Sequence, residues 1–117
     1  MSNKEGILTD VIINGQVKSF QHTFGYYEGH PGDNMVFENR ASGAYIFRPL
    51  HQIPKLVSGR PNVTIYRGPL SIEIHQQFND FISQVTRLYL GTPDPESEWL
   101  VGPIPISDGI GKEIISK

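Results

Sequence analysis

The 117-residue sequence contains no cysteine. This absence excludes a disulfide framework, a thiolate metal site and a cysteine nucleophile. The sequence also lacks the run of about 20 apolar residues that a membrane-spanning helix needs. Its ten lysines and arginines are scattered singly instead of forming a basic cluster. We therefore expect neither a membrane nor a nucleic acid among its partners.

The amino-terminal residues do not have the pattern of a secretory signal. Residues 1–5 are polar, and no apolar core segment of a signal peptide follows them. We therefore expect the sequence to be an internal or truncated piece of a longer protein. A length of 117 residues allows one domain at most, and residues 1–117 are predicted to form a single partial domain.

Short strands separated by turns dominate the sequence, which has 12 glycines and nine prolines. Residues 70–78 and 81–90 alternate in the two-residue period of a strand, and Asn14-Gly15 is a strong hairpin signal. Residues 17–27 are predicted to be the return strand of that hairpin, and residues 42–47 a buried strand that Pro49 ends. Turn signals at every 8–12 residues or so predict an all-β fold, an antiparallel β-sandwich that forms part of a larger β-sandwich region.

Three runs carry most of the chemical information: SGAYIFRP at 42–49, VGPIPI at 101–106 and DGIGKE at 108–113. Tyr45 has an apolar ring face and one hydroxyl, which suits contact with a sugar ring. The alternative is a core tyrosine whose hydroxyl is satisfied internally. Arg48 has the fixed donors to position a sugar hydroxyl or a carboxylate. Its alternatives are an ion pair with another domain and an ordinary surface charge.

The residues that catalysis or metal binding would need do not form a recognisable group. The four histidines have no metal-ligand spacing, and most carboxylates lie in predicted loops or on polar strand faces. We therefore expect no metal site and no catalytic residue in this chain. Asn62-Val63-Thr64 is an N-glycosylation sequon, so Asn62 is the predicted glycan acceptor.

The three runs, together with HQQF at 75–78 and VTRLY at 85–89, resemble the carboxy-terminal half of the glycoside hydrolase family 38 α-mannosidases, above all the lysosomal type. The resemblance covers nearly the whole chain. It implies β-sandwich domains behind a catalytic α/β domain. It also implies a parent enzyme that hydrolyses terminal α-linked mannose of N-glycans with retention. Zinc, its two His and two Asp ligands, and the aspartate nucleophile would all lie outside this chain.

For the chain itself, the resemblance implies that Tyr45 is the tyrosine that contacts the bound mannoside. The implied partners are the amino-terminal catalytic domain, the remaining β domains and a mannosyl glycan. The implied location is the lysosome or vacuole, or outside the cell, and the isolated chain is expected to be inactive. The alternative is a stand-alone, non-catalytic β-sandwich module that binds carbohydrate or protein.

Overall fold

The computed structural model describes residues 6–19 and 21–117, and within these ranges the regular secondary structure is almost entirely β-strand. The nine strands are β1 Asp10–Ile13, β2 Gln16–Ser19, β3 Phe24–Glu28, β4 Lys55–Leu56, β5 Asn62–Arg67, β6 Ser71–Asn79, β7 Ile82–Tyr89, β8 Glu96–Val101 and β9 Lys112–Ser116. A single turn of 3-10 helix, Phe37–Asn39, is the one helical segment of the described residues. No helix with the length and hydropathy of a membrane span occurs in that part of the chain.

Two compact units share these strands. The first unit consists of the described residues of Met1–His22 together with Ser58–Pro103, and it contains the β1–β2 hairpin and a four-stranded sheet of order β5-β6-β7-β8. The second unit consists of Thr23–Val57 and Ile104–Lys117, and it contains a three-stranded sheet of order β4-β3-β9. Every strand pair is antiparallel. The predicted all-β class is confirmed and is consistent with part of a β-sandwich, whereas the single-domain assignment stays a prediction.

The hairpin predicted at Asn14-Gly15 is confirmed. Asn14 has a φ of 51° and Gly15 a φ of 78°, and the flanking Ile13 and Gln16 are paired. Two consecutive positive φ angles give the turn whose twist matches that of the flanking strands. The predicted single return strand over 17–27 is wrong, because β2 ends at Ser19 and β3 pairs with β9, far along the chain.

The four-stranded sheet has one covered face, which we call its inner face. Gln76, Ile82, Gln84 and Thr86 lie on this face and are almost inaccessible to solvent. Leu8 and Val11 add buried apolar side chains to the same unit. The side-chain amide of Gln76 donates to the backbone carbonyl of Gly6 at 2.7 Å, which places the amino-terminal segment on this side of the sheet.

The predicted buried strand over 42–47 is wrong. These residues form an exposed loop, with Ile46 66% accessible to solvent. The backbone N–H of Gly43 donates to the carbonyl of Ile46 at 3.0 Å, which closes a tight turn in place of a strand. An apolar run of this length is compatible with a strand, but here its backbone groups bond locally and to residues 28–30.

Candidate functional site

The loop over 42–48, which we call the tyrosine loop, is held at both ends by the chain just after β3. The N–H of Ser42 donates to the carbonyl of His30, and the N–H of His30 donates to the carbonyl of Arg48, each at 2.8 Å. The Ser42 hydroxyl oxygen also accepts from the N–H of Arg48 at 2.9 Å. These three bonds clamp the two stems of the loop to each other and to residue 30, so its tip projects from a fixed base.

Tyr45 lies at the tip of this loop, between the two residues that close the turn. Its side chain is fully accessible to solvent, with a relative exposure of 101%. An aromatic residue of this size normally loses much of its surface to packing. The alternative of a core tyrosine does not hold in this structure, because neither the ring nor the hydroxyl is buried.

Arg48 closes the loop and is half-buried. Its backbone N–H and carbonyl are both used in the clamp on Ser42 and His30. Within residues 6–19 and 21–117, no ion pair to its guanidinium is present. Arg48 therefore has a defined backbone role in this chain, and its five side-chain donors are available for a group outside it.

A groove of about 510 Å³ lies beside the tyrosine loop, and residues of two sequence motifs line it. Ser42, Ala44 and Phe47 contribute from the first motif, and Ile110 and Lys112 from the DGIGKE run. The carbonyl of Gly111 accepts from the N–H of Gly29 at 2.8 Å, which brings the last motif against the end of β3. Motifs that are some 60 residues apart in the sequence thus border one surface.

Glycine is required where these segments cross. A Cβ atom on Gly32 would lie far inside contact distance of the Asn39 carbonyl and only 2.5 Å from the Ala41 nitrogen. On Gly29 it would lie 3.1 Å from the Cβ of Ser42. The loop over 31–41 folds back this closely because Gly32 has no side chain, whereas a Cβ at Gly29 would require Ser42 to shift by only a few tenths of an ångström.

Lys112 has an internal role in the last motif. Its side chain is 8% exposed, and its ammonium group donates to the carbonyls of Pro105 at 2.8 Å and Ile110 at 3.0 Å and to the Asp108 carboxylate at 2.9 Å. The hydrogen bond from Lys112, and then that from the Ile110 N–H, hold the pKa of Asp108 below its ordinary value. The segment before β9 is thus fixed by the ammonium group of Lys112.

Catalytic chemistry has no evident centre in the described part of the chain. In residues 6–19 and 21–117, no group of three or more His, Cys, Asp or Glu side chains is arranged to hold a metal ion. Glu73 of β6 and Glu98 of β8 both accept from Arg87, at 3.0 and 2.8 Å. The described arrangement can contact and orient a ligand, and Arg87 occupies both of these carboxylates.

Asn62, the predicted glycan acceptor, begins β5 at the edge of the four-stranded sheet. Its side chain and that of Thr64 are exposed. An acceptor asparagine must be accessible to carry a bulky glycan, and this position is. Asn62 belongs to the first unit and Tyr45 to the second.

The described strands and the tyrosine loop form an all-β structure that presents the exposed side chain of Tyr45. The family model described as "Glycosyl hydrolases family 38 C-terminal domain" matches residues 1–117. The chain therefore belongs to this family, as the motifs at 42–49, 101–106 and 108–113 predicted.

Several curated relatives are similar to nearly the whole chain. An alpha-mannosidase of Canavalia ensiformis is 48% identical over 98 residues, which are 83% of this chain and 10% of that protein. The lysosomal alpha-mannosidase of Homo sapiens is 43% identical over 114 residues, 96% of this chain and 11% of the human protein. The lysosomal alpha-mannosidase of Cavia porcellus is 47% identical over 94 residues, 80% of this chain and 9% of that protein. The chain spans about a tenth of the length of these relatives.

Proposed function

We propose that this chain is part of an α-mannosidase that hydrolyses terminal α-linked mannose of N-glycans, and that it supplies Tyr45 to the sugar site. The observation that supports this role is that the Tyr45 side chain is fully exposed while the stems of its loop are held in place. Tyr45 is 101% exposed, yet three hydrogen bonds of 2.8–2.9 Å anchor the stems of its loop. Holding an exposed aromatic ring on a rigid support reduces the entropy lost when it contacts a ligand.

The proposed role of Arg48 is a weaker contact on the same side of the loop. Its backbone is fixed by the clamp, while its guanidinium has no partner among the described acidic residues. A planar, permanently charged group in this position suits a sugar hydroxyl or a carboxylate of the parent enzyme.

The second proposed role is to buttress the amino-terminal catalytic domain and the remaining β domains of the parent. The second unit leaves several large apolar side chains open to solvent. Met35 is 92% exposed, Phe37 72%, Ile53 81% and Leu56 61%. Exposed apolar groups in such numbers are typical of a surface that other protein covers. The zinc ion, its ligands and the nucleophile of a retaining mechanism belong, in this proposal, to that catalytic domain.

The proposed location is the lysosome or vacuole, or outside the cell. Lysosomal alpha-mannosidases of several mammals are among the relatives. The sequon at Asn62 fits passage through the secretory route, since N-glycans are added there.

Substitution of Tyr45 in the whole enzyme tests the proposal. We expect Tyr45→Phe to lower kcat/KM by a factor of roughly 2 to 12, the value of one hydrogen bond to the sugar. Tyr45→Ala also removes the ring, and we expect it to lower kcat/KM roughly 10- to 100-fold. Neither change should lower the melting temperature, because the side chain packs against nothing in this chain. Tyr89→Phe, on β7 of the first unit, is the matched control; equal kinetics for Tyr45→Phe, Tyr45→Ala and this control would refute the role.

The isolated 117-residue chain is expected to hydrolyse no mannoside. The proposal places the zinc site and the nucleophile elsewhere in the parent enzyme. Incubation of the purified chain with an aryl α-mannoside and zinc checks this directly. Zinc-dependent turnover by the chain alone would show that the division of roles proposed here is wrong.

A further inference from the structure

The face of the four-stranded sheet opposite the inner face, which we call the outer face, carries an organised group of polar and aromatic side chains. Strand register places Thr64 of β5 opposite His75 of β6, Tyr66 opposite Glu73, and Glu73 opposite Arg87 of β7. Side chains of paired residues point to the same side of a sheet. Asn62 lies on this face as well, because it precedes Thr64 and Tyr66 by two and four residues on the same strand.

Hydrogen bonds fix the positions of these side chains. His75 Nε2 lies 2.8 Å from one oxygen of Glu73, and Arg87 Nε donates to the other oxygen at 3.0 Å. Arg87 Nη1 donates in turn to Glu98 at 2.8 Å. The outer face is therefore a pre-ordered polar surface, and ordering it further on contact with a ligand costs little entropy.

Tyr66 provides an aromatic edge to this surface. Its ring meets that of His75 edge to face, with centroids 4.9 Å apart. The tyrosine is nonetheless 57% exposed and the His75 side chain 40% exposed, so the described residues leave both rings open to a ligand. An aromatic ring beside fixed hydrogen-bonding groups is the composition that suits a sugar, which has both C–H faces and hydroxyls.

The sequon offers an attachment point for a carbohydrate on this face. Asn62 is exposed, and it lies four residues from Tyr66, about 13 Å along an extended strand. The intervening Thr64 is also exposed and pairs with His75. The inner sugars of a glycan on Asn62 that runs along β5 would pass over Thr64 and His75 before they reach Tyr66.

We propose that the N-glycan of Asn62 folds back onto the outer face, where its inner sugars contact His75 and Tyr66 and cover the edge of the four-stranded sheet. This inference rests on the proposed function to the extent that glycosylation needs the secretory route. It does not depend on the role of Tyr45 in hydrolysis. The covered strand β5 is an edge strand, and edges of this kind are commonly protected against pairing with other chains.

The test uses the enzyme secreted from a eukaryotic host. Peptide mapping measures the occupancy of Asn62, and digestion with a peptide-N-glycosidase measures the rate of glycan release from folded and from denatured protein. We expect release from the folded wild-type protein to be slower than release from the folded Tyr66→Ala variant by a factor of roughly 2 to 10, the range expected for one aromatic contact. Release after denaturation should be the same for both.

Leu100→Ala is the matched control. Leu100 is 70% exposed and lies on the same face, but on the opposite edge strand β8. Its substitution should leave the release rate at the wild-type value, which separates local contact from general loosening of the sheet. Hydrogen exchange of the β5 amides gives a second readout: protection should fall in Asn62→Gln and in Thr64→Ala, both of which abolish the sequon.

Three results would overturn the inference. If Asn62 is unoccupied in the secreted enzyme, the proposed ligand does not exist. If Tyr66→Ala leaves the release rate unchanged, the glycan stays in solvent and does not contact the outer face. Binding of a free mannosyl oligosaccharide to the Asn62→Gln protein, lost again in Tyr66→Ala, would assign the outer face to a separate glycan. All three leave the Tyr45 kinetics unaffected, so failure here is distinguishable from failure of the proposed function.

Discussion

The hydroxyl oxygen of Ser42 accepts a hydrogen bond from the backbone N–H of Arg48 at 2.9 Å, and this bond joins the two ends of the loop that presents Tyr45. The two partners are six positions apart in the sequence. Because the Ser42 N–H is bonded to His30 and His30 is bonded to Arg48, the loop is closed by a ring of three contacts. The position of the exposed tyrosine thus depends on a small, half-buried network behind it.

Removal of the Ser42 hydroxyl is expected to loosen the tyrosine loop. Ser42→Ala leaves the Arg48 N–H without its acceptor, at a cost of about 0.5–1.5 kcal/mol in the free energy of unfolding. In the whole enzyme, kcat/KM should also fall, because a mobile Tyr45 loses entropy on contact with the sugar. Ser107→Ala, an exposed serine of the same unit, is the control. A loss of stability with unchanged kinetics would show that Ser42 supports the fold and does not position Tyr45.

Gly32 is expected to be the least replaceable glycine of the second unit. Gly32→Ala forces a Cβ against the backbone of Asn39 and Ala41, and overpacking of this kind costs about 1–3 kcal/mol or more. Gly43→Ala is the matched control, since the atom nearest to its Cβ is the Ile46 carbonyl oxygen at 4.0 Å. That change should be neutral or stabilise the chain by up to about 1 kcal/mol. Urea unfolding of both variants measures the difference, and similar midpoints would contradict the predicted crossing of the chain at Gly32.

The pairing of Asp108 with Lys112 is expected to make stability depend on pH at the acid end. The pKa of Asp108 is lowered in the folded state, first by the hydrogen bond from Lys112, so the folded state binds its proton less readily than the unfolded state. The contribution of Asp108 to the free energy of unfolding is therefore complete above its ordinary pKa of 3.8 and is lost as the pH falls through the lowered pKa.

Comparison with Asp108→Asn checks this dependence. The asparagine keeps the shape of the side chain but cannot ionise. Unfolding curves at a series of pH values should show wild type more stable than the variant above about pH 5, with the gap closing below about pH 4. A gap that stays constant down to pH 3 would show that the ionisation of Asp108 does not account for the stabilisation.

Gln84 is expected to tolerate loss of polarity better than gain of charge. Its side chain is 1% exposed, its amide nitrogen donates weakly to Gln76 at 3.3 Å, and its Oε1 has no hydrogen-bond partner. Gln84→Met, similar in shape, should change the free energy of unfolding by less than about 1.5 kcal/mol. Gln84→Glu should cost about 3 kcal/mol at pH 7, because burial raises the pKa of a carboxyl by about 2 units or more.

The sign of the pH dependence distinguishes the two Gln84 variants. In Gln84→Glu, burial raises the pKa of the new carboxyl in the folded state. The variant is therefore most stable below the ordinary pKa of about 4.3, where the acid is protonated in both the folded and the unfolded state. It loses stability as the pH rises. Gln84→Met should show no such slope relative to wild type. Thermal unfolding at pH 4 and pH 7 measures both, and a flat response of Gln84→Glu would indicate that solvent reaches this site.

Features of the fold were predictable where neighbouring residues in the sequence encode them. The hairpin at Asn14-Gly15 is encoded by two residues that accept positive φ. The alternation of Ile72 and Ile74 with Glu73 and His75 correctly separated the inner from the outer face of β6. The pairing of β3 with β9 was not predictable in this way, since it joins residues almost 90 positions apart and no short-range pattern reports it.

The candidate site shows the same division. The SGAYIFRP motif identified Tyr45 and Arg48, yet its apolar run predicted a buried strand where the structure has an exposed loop. The roles of Ser42, His30 and Lys112 were missed, because each depends on a partner from another segment. Nothing in the sequence indicated that Lys112 would fix the segment that precedes β9.

The sequence by itself determined the all-β class, the family and the residues that carry its motifs. These follow from residue identity and spacing along the chain, and both are fixed before folding. The tertiary structure decided that the tyrosine loop projects from a three-bond clamp, that two distant motifs border one groove, and that Asn62 shares a sheet face with His75 of the neighbouring strand.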